Sequence, residues 1–404
     1  MPDQVLPGRV PVRVFVPGWM VVYIRFRIRL RILRLALSSS PNPWSAYQAL
    51  RSLINKRKTL LGTPPATRYI QAGNRYFWTL ASPGWPSPAF DDFVRNELDK
   101  VRLGGDAGNR LHTMIFSITS RCPLRCDHCY EWNNLASVDS LSYDDLEQML
   151  KHFQAYGVAT VEFSGGEPLS RFDDLVRLLQ TAQTGTDFWI LSSGFELTAD
   201  RARRLKDAGL TGVAVSLDHW KEEEHNRYRN HGAAFQWARE AIRNSLQAEL
   251  VVALSLCARK EFVSRSNLEE YVHLASEWGV GLVRILEPRQ AGHYQGLEIE
   301  LEEEQIGILD QFYLDGNAAK AGRNWPILEY AGYHQRRFGC FGAGDRYLYV
   351  DSQGFIHACP FCQKPAGNAR VDLLEEVIPK LRKAGCHKFP THIREAEVLL
   401  AKST

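Results

Sequence analysis

No run of about 18 or more uncharged apolar residues occurs in this 404-residue chain, which argues against a transmembrane helix. Cysteine is scarce: eight residues are too few for a disulfide scaffold. Charge of one sign is not in bulk excess either, the formal net charge being +3. With 45% apolar and 24% charged residues the composition is ordinary for a globular protein, which excludes a disordered or collagen-like chain. The length admits one large α/β domain with smaller additions.

The small net charge conceals an asymmetry. Eleven Lys and Arg lie in residues 1–62, against one acid, Asp3. The rest of the chain is net acidic and has no bulk attraction for nucleic acid. From Ile24 to Arg31 apolar residues alternate strictly with arginine, which predicts a strand with one basic face. Pro41 and Pro43 break the chain. Residues 45–61 predict a basic amphipathic helix with Ala46, Leu50, Leu53 and Ile54 on one face. Docking on anionic lipid is one reading of residues 1–62; a solvated basic flank packed on the main body is the other. The apolar stretch from Val14 to Ile24 contains Pro17 and Gly18 and lacks a small-residue cleavage site, so it does not read as a signal peptide.

Residues 63–112 form a small region with a predicted hairpin, Thr67 to Leu80, around Gly73-Asn74, and a predicted helix over 88–102. From residue 113 to 300 the pattern is regular. Apolar, β-rich runs occur near 114–119, 158–164, 187–193, 212–217, 249–256 and 281–286, with helical patterns between them. Ser142-x-x-Asp145 and Ser170-x-x-Asp173 read as helix starts, and Gly157 as a helix stop. A third helix is predicted from Thr198 to Ala208. Strand–helix repeats imply parallel strands with right-handed crossovers, and the expected fold is α/β: a partial barrel of six units. Residues 301–404 change character. A helix near 302–315 precedes two strands, Arg346–Val350 and Phe355–Cys359, joined as a hairpin.

Chemistry enters directly after the first barrel strand, where Cys122, Cys126 and Cys129 form a C-x3-C-x2-C array. Three thiolates on one short loop suit zinc or an iron–sulfur cluster. A zinc site wants a fourth protein ligand, for which His128 is at hand. Three cysteines on a four-iron cluster leave one iron open. After the second strand stands Ser164-Gly165-Gly166-Glu167-Pro168, whose glycines let a ligand approach the backbone closely.

This array resembles the radical S-adenosylmethionine (radical SAM) superfamily, and the order of the later segments is similar. The resemblance covers about 114–290 for the barrel and, more loosely, 340–370. It implies that an open iron chelates S-adenosylmethionine, with His128 beside the cofactor, and that Gly165, Gly166, Glu167 and Pro168 contact the amino end. It places Ser192 and Ser193 after the third strand, and Ser216 and Asp218 after the fourth, where the family holds the ribose or carboxylate. Arg229, preferred over Arg227, would pair with the cofactor carboxylate. Tyr130 and Trp132 would wall the cofactor. These groups lie at C-terminal strand ends, where α/β barrels place active sites. Candidate substrate contacts are His219, Trp220, Glu287 and Arg289, with His293 and Tyr294 nearby.

A second cysteine set comprises Cys340, Cys359, Cys362 and Cys386. Gly354-x4-Cys359 resembles the start of the auxiliary-cluster (SPASM or twitch) domains of many radical SAM enzymes, and four cysteines limit the set to one further [4Fe–4S] cluster. Cys386 is the most remote ligand. Cys257 is left over and reads as a core residue.

Three functions compete. The first is a radical SAM enzyme that oxidises or crosslinks a peptide side chain. The second is a radical SAM enzyme that modifies a small molecule or lipid. The third is a zinc-binding interaction protein. The first two imply an electron donor such as flavodoxin or ferredoxin. Their oxygen-sensitive clusters imply a reducing cytoplasm.

Overall fold

The computed structural model describes residues 15–61, 68–103, 111–136, 138–318, 325–386 and 388–389, apart from the side chains of 56–61. The described residues begin with two helices, α1 (Gly18–Ser39) and α2 (Pro43–Leu61), then a short hairpin of β1 (Ile70–Ala72) and β2 (Arg75–Phe77), and α3 (Pro88–Leu103). The barrel follows: β3 (Thr113–Ser117), α4 (Tyr143–Tyr156), β4 (Thr160–Ser164), α5 (Phe172–Thr181), β5 (Asp187–Ser192), α6 (Ala199–Asp207) and β6 (Gly212–Ser216). It continues with α7 (Glu222–Arg229), α8 (Ala234–Gln247), β7 (Val251–Cys257), α9 (Arg265–Glu277) and β8 (Leu282–Leu286). The last part contains α10 (Glu303–Asn317), β9 (Ile327–Tyr330), α11 (Ala331–Phe338), β10 (Tyr347–Val350), β11 (Phe355–His357), β12 (Pro365–Asn368) and α12 (Leu374–Ala384).

One ten-stranded sheet carries the architecture, in the order β12-β11-β10-β3-β4-β5-β6-β7-β8-β9. The six expected strands, β3 to β8, are all present and parallel. Two strands extend them beyond the expected six units: β9 adds in parallel to β8, and β10 adds in parallel to β3. The expected C-terminal hairpin is thereby part of the main sheet. β10 pairs antiparallel with β11, and β11 with β12.

The sheet curls. Glu162 on β4 and Arg284 on β8 are four strands apart in the sheet order, yet Arg284 Nη2 donates to Glu162 Oε1 at 2.6 Å and Nη1 to Oε2 at 3.2 Å. Only a sheet bent into a partial barrel brings those side chains together across its interior. Burial of the fork is offset by its bidentate geometry.

The β1–β2 hairpin turns at Gly73, as expected, and its destination is the N-terminal end of this barrel. Phe77, Leu80, Ile70 and Ala72 cluster with Trp189, Ala214, Val251, Ala253 and Leu282 near the beginnings of four strands. The Phe77 and Trp189 rings meet edge to face at 6.5 Å. Arg75 pairs with Asp187, the first residue of β5. The bottom of the barrel is therefore plugged, and the open face is the C-terminal one.

Two local readings are corrected. Residues Ile24–Arg31, expected as a strand, belong to helix α1. Eight alternating residues satisfy a two-residue period, but the buried positions Val21, Ile24, Ile28, Leu35 and Ala36 repeat at helical spacing, and packing against α2 and α3 decides the outcome. Ser170 does not cap a helix: it lies inside the 3-10 turn Pro168–Arg171, and α5 starts after it. Ser142 does cap α4, in a capping box with Asp145, and Gly157 closes that helix at φ 96°.

Candidate active site

The loop after β3 carries Cys122, Cys126 and Cys129, and neighbouring elements clamp it. Asp139 accepts from Thr119 Oγ1 at 2.6 Å and from the Ser120 amide at 3.0 Å, which pins the loop's base. The end of α7 holds its middle: Asn230 Nδ2 donates to the Arg125 carbonyl at 2.9 Å, and the Asp127 amide to the Tyr228 carbonyl at 3.2 Å. The turn Gly292–Tyr294 after β8 covers its end, with the His293 amide donating to the Cys129 carbonyl at 3.0 Å. Trp132 stacks on His293 at 3.9 Å. Gly292, at φ +58°, packs directly on the Cys129 and Tyr130 carbonyls. Its importance was not read from the sequence, where it appears as an ordinary loop glycine.

The Gly165-Gly166-Glu167 segment lies on the same loop. The Gly166 amide donates to the Thr119 carbonyl and the Glu167 amide to the Arg121 carbonyl, each at 2.8 Å. Gly165 has φ +140°, and a Cβ on Gly166 would lie 2.9 Å from Cys122 Cβ. The turn after β4 and the cysteine loop after β3 thus form one backbone surface. Pro168 is buried in the turn that follows.

Burial pushes the Cys122 thiol up to about 12, and the negative charges of Glu167, Cys126 and Cys129 add to this. Cys129 rises to about 12 through burial and then the charge of Cys126. Cys126 is raised too, chiefly by burial, although Arg229 opposes it. Buried thiols of this kind are poor free nucleophiles. A cationic metal centre would ionise them, so the donor set suits a thiolate-held cluster.

The polar residues around the loop fall into two buried groups. Glu167 accepts at 2.8 Å from Ser192 Oγ and from the Ser193 amide, at 2.6 Å from Ser193 Oγ, and at 3.2 Å from the Leu169 amide. Burial raises its pKa against these four donors. Glu167, Ser192 and Ser193 therefore brace the ends of β4 and β5. Four donors thus converge on the Glu167 carboxylate.

In the second group Arg229 Nη2 lies 2.6 Å from Asp218 Oδ2, and Arg229 Nη1 donates to Cys126 Sγ at 3.7 Å. Asp218 Oδ1 also accepts from the Cys257 amide at 3.1 Å. Burial works to raise the Asp218 pKa, but Arg229, His128 and His225 outweigh it and hold it at about 2. Asp218 is 1% exposed. It serves as the partner of Arg229. Ser216, half-buried, ends β6 in register with Ser255.

His128 stacks on Tyr228 at 4.4 Å, and burial lowers its pKa to about 3. Tyr228 was not singled out from the sequence, although it stands beside Arg229. Tyr130 Oη bonds Ser164 Oγ at 2.8 Å.

The expected substrate residues have protein partners. Trp220 Nε1 donates to Asn267 Oδ1 at 3.1 Å, and the His219 ring meets Phe262 at 5.3 Å, so both pack toward α9. Glu287 accepts from Tyr330 Oη at 2.6 Å and pairs with Arg289 at 3.3 Å and with Arg336. Arg289 donates to Gln335 at 3.4 Å, and Gln335 reaches Cys340 Sγ at 3.9 Å. Glu287 and Arg289 thus border the second cysteine set.

That set converges. Cys359 Sγ lies 3.4 Å from Cys362 Sγ. Cys386 is held low in pKa by thiol hydrogen bonds from Cys340 and Cys362. The Gly342 amide donates to Cys340 Sγ at 3.3 Å. The remote Cys386 is therefore brought to the other three. Phe361, between Cys359 and Cys362, meets the Tyr130 ring at 6.1 Å beside Cys129. Cys257 is buried at the end of β7.

A curled parallel sheet, a three-thiol loop at its open end and a glycine turn stacked on that loop define a cluster-binding α/β-barrel enzyme. The Radical SAM superfamily profile matches residues 116–257. A GTP 3',8-cyclase of Limosilactobacillus fermentum is 37% identical over 270 residues, covering 64% of this chain and 76% of the relative. The chain belongs to the radical SAM superfamily. A second GTP 3',8-cyclase, from Lactiplantibacillus plantarum, is 36% identical over 133 residues, spanning 31% of this chain and only 40% of that protein. The mycofactocin maturase MftC of Mycobacterium tuberculosis is 27% identical over 256 residues, 61% of this chain and 64% of that one. In fold the chain is similar to Streptococcus suis SuiB bound to precursor peptide SuiA, with a TM-score of 0.55, 14% identity, and coverage of 86% and 80%. Family membership sets aside the non-enzymatic zinc protein. S-adenosylmethionine and a [4Fe–4S] cluster are the family's cofactors.

Proposed function

We propose that this radical SAM enzyme abstracts hydrogen from a peptide side chain, as a step in oxidation or crosslinking. When bound, the open-iron cluster and S-adenosylmethionine supply a 5'-deoxyadenosyl radical. Cys122, Cys126 and Cys129 would ligate that cluster, and the Gly165–Gly166 backbone would receive the amino end of the cofactor. Glu167, with Ser192 and Ser193, positions that backbone. The Arg229–Asp218 pair places a buried cation beside Cys126, which balances anionic sulfur in a low-dielectric site. The plugged barrel bottom keeps water from the far end. The observation that carries the reading is the backbone bonding between the glycine turn and the cysteine loop.

The peptide part rests on likeness to the peptide-bound SuiB fold and to MftC. Cys340, Cys359, Cys362 and Cys386 would hold a second [4Fe–4S] cluster, a reading supported by their convergence. A flavodoxin- or ferredoxin-type protein would deliver the electron in a reducing cytoplasm. A small-molecule substrate is the second reading, favoured by the GTP 3',8-cyclase relatives. Anaerobic reconstitution with deuterated candidates decides: label moving from a peptide into 5'-deoxyadenosine supports the proposal. Label moving only from a nucleotide or other small molecule overturns the peptide assignment.

A further inference from the structure

Helix α1 is apolar on two opposite faces. One face, Val21, Ile24, Ile28, Leu35 and Ala36, packs with Ala46 and Ala49 of α2 and Phe90, Val94 and Leu98 of α3. The other bears Trp19, Val22, Tyr23, Phe26, Leu33 and Leu37, all exposed. At about 100° per residue these six fall within an arc of about 100°. Trp19 is 70% and Phe26 62% exposed. Helix α2 adds Ile54 and the exposed pair Trp44 and Tyr47, whose rings stack at 5.4 Å. Nine of the 17 large apolar side chains exposed among the described residues lie on these two helices. Such a concentration marks an interaction site.

Charge says what covers it. No acid occurs between Asp3 and Asp91. Around the helix, Arg27 and Arg34 flank the exposed stripe on one side, and Arg25 and Arg29 on the other. Arg31 turns instead to Asp91. A second copy docked through the same face would bring two arginine rows together with no acid on either helix to answer them. Among the described residues no helix is long and apolar enough to cross a membrane. An exposed stripe of aromatic and aliphatic side chains with arginines along both flanks describes a helix lying in an interface, its arginines reaching lipid phosphate.

We propose that the exposed face of α1, extended by Trp44 and Tyr47 of α2, docks on a bilayer containing anionic lipid. This contact is independent of the radical chemistry. The reconstituted full-length chain should sediment with mixed phosphatidylcholine–phosphatidylglycerol vesicles, much less with phosphatidylcholine alone, and less as salt rises. Phe26→Glu with Leu33→Glu should weaken vesicle binding by about 100-fold while leaving iron content and S-adenosylmethionine cleavage unchanged. Arg27→Gln with Arg34→Gln should weaken binding only to the anionic vesicles. The proposal is overturned if the wild-type chain stays in the supernatant with anionic vesicles at low salt. It is equally overturned if the Phe26/Leu33 variant binds as the wild type does. A wild-type dimer in sedimentation equilibrium that this variant dissolves assigns the face to a second copy instead.

Discussion

Gly166 has backbone on one side and a cysteine on the other: an added Cβ would meet the Arg121 carbonyl and lie 2.9 Å from Cys122 Cβ. Gly166→Ala must push the turn off the loop. We expect it to lower 5'-deoxyadenosine formation by about 100-fold, since a shift on the order of 1 Å at a positioning element has that effect. Single-turnover assays with matched iron content measure it; an unchanged rate would detach the turn from cofactor positioning. His225 offers a pH test. It accepts from the Asp218 amide at 3.1 Å, and burial, then Arg229, lowers its pKa to about 4, against about 6.5 in an unfolded chain. The unfolded state takes up a proton below about pH 6.5, and the folded state does not until about pH 4. Stability present at pH 7 is therefore lost as pH falls through that window, by up to about 1.4 kcal/mol per pH unit. Urea unfolding at pH 7 and pH 5 reads this slope, and His225→Gln should flatten it. Identical pH dependence in the two proteins would mean that folding does not lower the His225 pKa.

Among the elements, the β1–β2 hairpin shows how far local sequence reaches. Its turn at Gly73-Asn74 was readable, because a glycine at positive φ between short apolar runs leaves few alternatives. Its position under the barrel was not, because the Phe77–Trp189 contact spans residues far apart in the chain. Phe77→Ala leaves a cavity among the first residues of the strands and should cost about 3–5 kcal/mol. Thermal unfolding measures the loss, and a change below about 1 kcal/mol would show that the hairpin is only loosely seated. The six core strands were legible because buried parallel strands read as continuous apolar runs. β10 was legible as a hairpin strand but not as the neighbour of β3, since parallel pairing of Tyr347 with Thr113, so far apart in the chain, has no local signature. The Ile24–Arg31 segment failed for a different reason: alternation with arginine fits a strand, yet the same residues give a helix two apolar faces with cationic flanks. At the site, the cysteine loop and glycine turn were legible as motifs. The partners of Glu167 and Asp218 were not, because hydrogen-bond satisfaction is settled only by tertiary packing.

For the molecule as a whole, β10 fastens the second cysteine set to the strand that leads into the first. If both sets hold clusters, Cys386→Ser should lower iron from about eight to about four atoms per chain. Cleavage of S-adenosylmethionine without substrate should persist, whereas Cys126→Ser should abolish it. Iron analysis with electron paramagnetic resonance separates the two outcomes, and an unaltered iron count in Cys386→Ser would remove that thiol from the ligands. The stopper formed by Ile70, Phe77 and Leu80 carries a consequence for traffic. With that end closed, a substrate reaches the site from the C-terminal face or past the unpaired edges of the partial barrel. Were the substrate the proposed peptide, the residue to be altered would be presented at that face rather than from beneath the barrel.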